Sequence, residues 1–109
     1  MGARYDLSDP VNQRKLDAAD ALAQLAEDSG MSLVELAVAF TIRHPGVTSA
    51  IIGPRTMDQL TSQLPAAEVQ LSDEVLDAID AIVPPGTNLR ADDAGYQPPS
   101  LTNVSLRRR

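Results

Sequence analysis

"SAIIGPRTMDQL", residues 49–60, runs from an apolar, β-branched stretch through a Gly-Pro-Arg turn into the start of a helix. From Val47 to Gly53 polar alternation stops at Ser49. That pattern predicts a strand buried on both faces. Thr56 is placed to cap a short helix, with Gln59 at the capping-box position three residues on. Arg55 therefore stands beside a helix N-terminus, where free N–H groups and a planar cation together suit a phosphate. The strand raises a difficulty of its own. Its N–H and C=O groups face both edges, and a lone strand cannot satisfy them.

Working outward, the other elements read as helices. Asp9-Pro10 is a start signal, an N-cap acceptor followed by proline at the first helical position. The helix it opens carries Leu16, Ala19, Leu22, Ala23, Leu25 and Ala26 at helical spacing up to Ser29, and Gly30 closes it in the left-handed conformation. Ser32 and Glu35 form a capping box for a second helix, Leu33–Ile42, which is apolar on most of its circumference and must be covered accordingly. His44-Pro45-Gly46 ends it. Pro65 breaks the short third helix, Ser72 caps a fourth with Val75, Leu76, Ile79 and Ile82 on its apolar side, and Pro84-Pro85-Gly86 stops that one. Residues 87–109 read as a loop-like tail, set apart from the body over residues 1–86.

Composition narrows the function. Fifteen acidic residues against nine basic ones give a formal charge of −6, which argues against binding nucleic acid through its phosphate backbone. Only three aromatic residues, Tyr5, Phe40 and Tyr96, are available, too few to stack bases. There is no cysteine and a single histidine, His44, so neither thiolate chemistry nor a metal site is expected. The N-terminus lacks the apolar core of a signal peptide, and no segment is long and apolar enough to span a membrane. A cytoplasmic location is expected. The stretch "LAEDSGMSLVELA" has the outline of a helix-turn-helix. Its second helix offers base edges almost nothing polar and only Glu35 as a charge.

The stretches "MSLVELAVAFTIRHPGVTSAIIGPRTMDQL" and "LSDEVLDAIDAI" make the chain resemble the C-terminal third of the aldo-keto reductases, from about Tyr5 to Leu101. The resemblance implies an α/β fold, the C-terminal portion of a (β/α)8 barrel. It would comprise helices, the last barrel strand, the cofactor-loop helix and the terminal helix. Such a barrel takes roughly 200–250 residues, so the chain is expected to be part of something larger. The resemblance further implies NADPH as cofactor and a small carbonyl compound as substrate in the complete enzyme. Carried over by position, Gly53 and Arg55 fall in the cofactor loop that holds the adenosine 2′-phosphate. Gln59 and Gln63 lie one and two turns into the next helix. Gln63 departs from the family, which usually has asparagine there.

The family's catalytic Asp, Tyr, Lys and His have no counterparts at matching positions. Lys15 is expected to be solvated on its helix, Tyr5 and Tyr96 lie in terminal segments, and His44 ends a helix. No catalytic residue is assigned, and the chain alone is expected to be inactive. An alternative class is a small acidic helical interaction module, which self-associates through its unpaired strand edge or completes a partner protein.

Overall fold

The computed structural model describes residues 4–106. The helices form where the caps place them. Asp9 adopts extended backbone and its carboxylate accepts from the Val11 N–H at 2.9 Å, starting α1 (Pro10–Asp28). Gly30 follows with φ of 74°, the left-handed turn expected of it. Next comes α2 (Leu33–Ile42), closed at its start by a complete capping box. The Ser32 hydroxyl accepts from the Glu35 N–H, and the Glu35 carboxylate accepts from the Ser32 N–H at 2.7 Å. Thr56 caps α3 (Met57–Gln63), which tightens at Pro65 into a 3₁₀ turn over Leu64–Glu68. Ser72 caps α4 (Asp73–Ile82). The tail contains a 3₁₀ turn at Ala91–Asp93, the short α5 (Pro99–Thr102) and a further 3₁₀ turn at Val104–Leu106.

The core is where α1, α2 and α4 meet. Ala26 of α1, Leu36 and Ala39 of α2, Leu76 and Ile79 of α4, and Leu71 just before α4 form one buried cluster. Leu22, Leu25, Met31, Phe40, Val69 and Val75 pack around it half-buried. Alanines at the contacts let the helices approach closely. Ala26 and Ala66 are completely enclosed, and Ala66 belongs to the 3₁₀ turn on which α2 packs.

The expected doubly buried strand is not formed. Among the described residues there is no strand, and residues 47–53 carry no regular secondary structure and no ladder partners. Ile51, expected in the interior, is fully exposed. The reason is topological. A strand is completed by its neighbours, and here no second extended segment lies beside it to receive its hydrogen bonds. Coverage of α2 is also partial. Leu33 and Val34 stay exposed, and an apolar groove of about 350 Å³ lies open between Leu22, Leu33, Phe40, Ile79 and Val83. A second groove, of about 320 Å³, runs between Val38 and Ile42 of α2 and residues 48–50 and Ile52. Among the described residues no helix is long and apolar enough to cross a membrane.

Candidate functional site

The turn before α3 is held by two hydrogen bonds that interlock. The Gln59 N–H donates to the Thr56 hydroxyl at 3.2 Å, the ordinary cap. The Gln59 side-chain oxygen reaches past the N-cap and accepts from the Arg55 N–H at 2.7 Å. A capping box returns that bond to the N-cap residue itself, so the reciprocal bond here is moved one residue upstream. Because Arg55 N–H can only donate, the Gln59 oxygen must face the turn and its NH₂ group faces away. The turn is thus fixed from the helix side, with Arg55 presented outward.

Gly53 and Arg55 are exposed on this turn. Among the described residues no carboxylate pairs with the Arg55 guanidinium. A Cβ on Gly53 would meet nothing within 4 Å, so protein packing does not demand glycine there. An open backbone, an unneutralised guanidinium and an outward amide donor fit a phosphate-bearing group in their chemistry. Gln63 is placed differently. It is half-buried and lines the groove beside Val38 and Ile42, together with Ile52 and Leu64, whereas Gly53, Arg55 and Gln59 do not line it.

The residue types that could have supplied acid–base chemistry are otherwise engaged or far out in solvent. The His44 ring accepts from the Gly46 N–H through Nδ1 at 3.0 Å, which closes the turn after α2. Tyr5 and Tyr96 are exposed. Among the described residues no group of three or more His, Cys, Asp or Glu side chains converges as a metal site.

A polar cluster that the sequence pattern does not reveal ties the tail to the start of α1. Lys15 is not solvated as expected. Its ammonium bonds Asp93 of the tail, and the side chain is only 30% exposed. Arg4 reaches the other Asp93 oxygen at 3.2 Å. Arg90 Nη1 donates to Asp9 Oδ2 at 2.9 Å and to Asn12 Oδ1 at 3.0 Å, while its Nε lies 3.8 Å from Asp93. Asn12 is 2% exposed and donates to the Asp6 carbonyl at 2.8 Å. It joins the entry segment, α1 and the tail through one amide. Replacing Asn12 with alanine removes its bond to the Asp6 carbonyl, which keeps the Asp9 N–H, and one Arg90 bond in a buried setting. The expected loss is about 1.5 kcal/mol, read as a lower urea midpoint at unchanged slope.

Several carboxylates are held below their usual range. Lys15 hydrogen-bonds Asp93, and the neighbouring Arg4 and Arg90 add attraction, which lowers it from 3.8. Ser32 bonds Glu35 through backbone and hydroxyl and lowers it from 4.5. For a depressed carboxylate the stabilisation is complete above the unfolded value and lost as pH falls through the folded one. Helical circular dichroism should therefore be flat from pH 7 to about 5 and decline below about 4. Glu35→Gln keeps an acceptor at the cap and should shed part of that acid sensitivity, seen as a shallower decline.

Comparison with known proteins identifies the family. Residues 2–84 match the family model described as Aldo/keto reductase family. Protein tas of Escherichia coli (strain K12) is 35% identical over 65 residues, which is 60% of this chain and 19% of that protein. The uncharacterized oxidoreductase YrpG of Bacillus subtilis is 31% identical over 77 residues, 71% of this chain and 23% of that one. A putative voltage-gated potassium channel subunit beta of Schizosaccharomyces pombe is 30% identical over 79 residues, again 71% of this chain and 23% of the relative. The chain thus spans about a fifth of the length of these curated relatives. No solved structure matches it. With the family model covering most of its length, the chain belongs to the aldo/keto reductase family.

Proposed function

We propose that the chain is the C-terminal portion of an NADPH-dependent (β/α)8-barrel reductase and carries the adenosine 2′-phosphate end of its cofactor site. The observation that supports this most is the exposed, unneutralised Arg55 on a turn pinned from behind by Gln59. Arg55 would form a charge-assisted, forked contact to the 2′-phosphate. Gly53 would let the backbone approach it and the Gln59 NH₂ would donate toward the nucleotide, while Gln63, in the groove beside Val38 and Ile42, is not assigned an adenine contact. In the complete enzyme, hydride transfer from the bound nicotinamide would convert a small carbonyl compound to an alcohol. The catalytic Asp, Tyr, Lys and His would come from the preceding strands, so the chain alone is inactive. It is proposed to act in the cytoplasm. The open grooves beside α2 and the unpaired residues 47–53 would then be the surfaces on which those strands and helices pack.

The test is to titrate the chain with NADP⁺ and NAD⁺ while following ³¹P resonances. Broadening confined to the 2′-phosphate of NADP⁺ is the expected result. Equal response to both dinucleotides would overturn the assignment.

A second reading draws on the same exposed apolar surface. As a free-standing acidic helical module, the chain would cover Ile51 and the groove beside α2 by self-association or with a partner protein. Sedimentation at rising concentration separates the two, since only this reading expects a dimer that forms reversibly with gain of protected amides.

A further inference from the structure

We infer that Arg4, Lys15 and Arg90 form an anion site at the start of α1, and that the protein's own Asp93 carboxylate fills it. The tail turn then acts as a latch that a small phosphate or carboxylate compound can displace.

In a chain of formal charge −6, three of the nine basic side chains converge on one carboxylate. Lys15 and Arg4 take separate oxygens of Asp93, and Arg90 approaches the same carboxylate from the tail itself. Other charges face the cluster. Asp9 is engaged by Arg90, and Asp6 is turned away, its carboxylate accepting from the Ser8 N–H and hydroxyl at 3.0 and 2.7 Å. Arg4, Lys15 and Arg90 against Asp9 and Asp93 leave one net positive charge. Without Asp93 the same groups leave two, which matches a phosphate dianion.

Geometry adds room. Beside the cluster lies a cavity of about 420 Å³ bordered by Arg4, Tyr5, Leu7, Lys15, Leu16 and Asp93. Its wall is basic at one end and apolar along Tyr5, Leu7 and Leu16. A phosphate or carboxylate on a small organic body would put its charge where Asp93 sits and its body against that wall. The occupant sits on a short element. Asp93 lies on a single 3₁₀ turn, Ala91–Asp93, tied to the entry segment and α1 by these ion pairs and the Arg90 bonds. Of the three cations only Arg4 is well exposed; Lys15 and Arg90 are partly buried, so a displacing anion must replace the Asp93 charge on them. Nothing in the inference depends on the cofactor assignment, since Arg55 and its turn take no part in it.

The test uses the full 109-residue chain and inorganic phosphate as the probe, with chloride at matched ionic strength as the control. Amide exchange of residues 89–94 and phosphate affinity by titration are both read. Phosphate is expected to speed exchange across 89–94 while the core around Leu36 and Leu76 stays protected, and chloride is expected to do neither. Asp93→Asn removes the competing charge and should bind phosphate about tenfold more tightly than the native chain. Adding Lys15→Met to that variant should abolish the gain. An unchanged affinity in Asp93→Asn, or equal opening by chloride, overturns the inference. Should Asp93→Asn lose core protection, the native titration decides alone. Phosphate-specific opening upholds the latch, and its absence refutes it.

Discussion

Replacing Leu76 with alanine is expected to lower stability by about 3 kcal/mol, within the usual span for a buried leucine. Leu76 is 2% exposed and is the one large side chain counted as fully enclosed among the described residues. It lies on α4 in the cluster with Ala26 of α1 and with Leu36 and Ala39 of α2. Two of those neighbours are alanines, already at their smallest, so they cannot swell into the space it vacates. Relaxation must come from helix movement instead, and the caps at Asp9, Ser32 and Ser72 oppose that. For a domain near this size such a loss lowers the melting temperature by roughly 15 °C. Thermal and urea melts followed by circular dichroism measure it. Ile51→Ala is the matched control, for Ile51 is as apolar but fully exposed. It should change stability by less than about 0.5 kcal/mol. A large loss at Ile51 would mean that residues 47–53 are covered in solution, which is what self-association requires.

The contrast between those two side chains also shows what the sequence could disclose. Everything decided within a turn or two was legible. Asp9-Pro10, Ser32 with Glu35, Thr56, Ser72 and Gly30 each satisfy backbone groups a few residues away, and each does so as expected. Features completed by distant residues were not legible. The pattern of residues 47–53 predicts a doubly buried strand, but pairing needs strands that the described residues do not supply, and Ile51 stays exposed. Lys15 looked like a surface charge because its partner, Asp93, is 78 residues away. Aspartate in a loop carries no periodic signal that would mark it as a partner. Gln59 lies between these cases. Its spacing predicted the cap, while the choice of Arg55 N–H over that of Thr56 depends on how the Gly-Pro-Arg turn runs.

That bond sets the terms for Arg55→Ala, which in the complete enzyme proposed above is expected to weaken NADPH binding about thirtyfold and leave NADH binding nearly unchanged. Hydrogen bonds to a charged group are worth roughly 1.5–3 kcal/mol, and the forked contact lies in the middle of that range because the turn is exposed and screened by salt. The substitution spares the turn. Gln59 holds the backbone N–H of residue 55, which alanine keeps, and Thr56 still caps α3. The loss should therefore track the 2′-phosphate alone, the group by which the two cofactors differ. Arg55→Lys should recover only part of the affinity, since a point charge replaces the planar fork. Gln59→Leu has the opposite signature. It frees the Arg55 N–H, so amide exchange at residue 55 should quicken even with no nucleotide present. Equal weakening of NADPH and NADH by Arg55→Ala would place the residue's role in the turn rather than at the phosphate. Unchanged binding of both would remove Arg55 from the site.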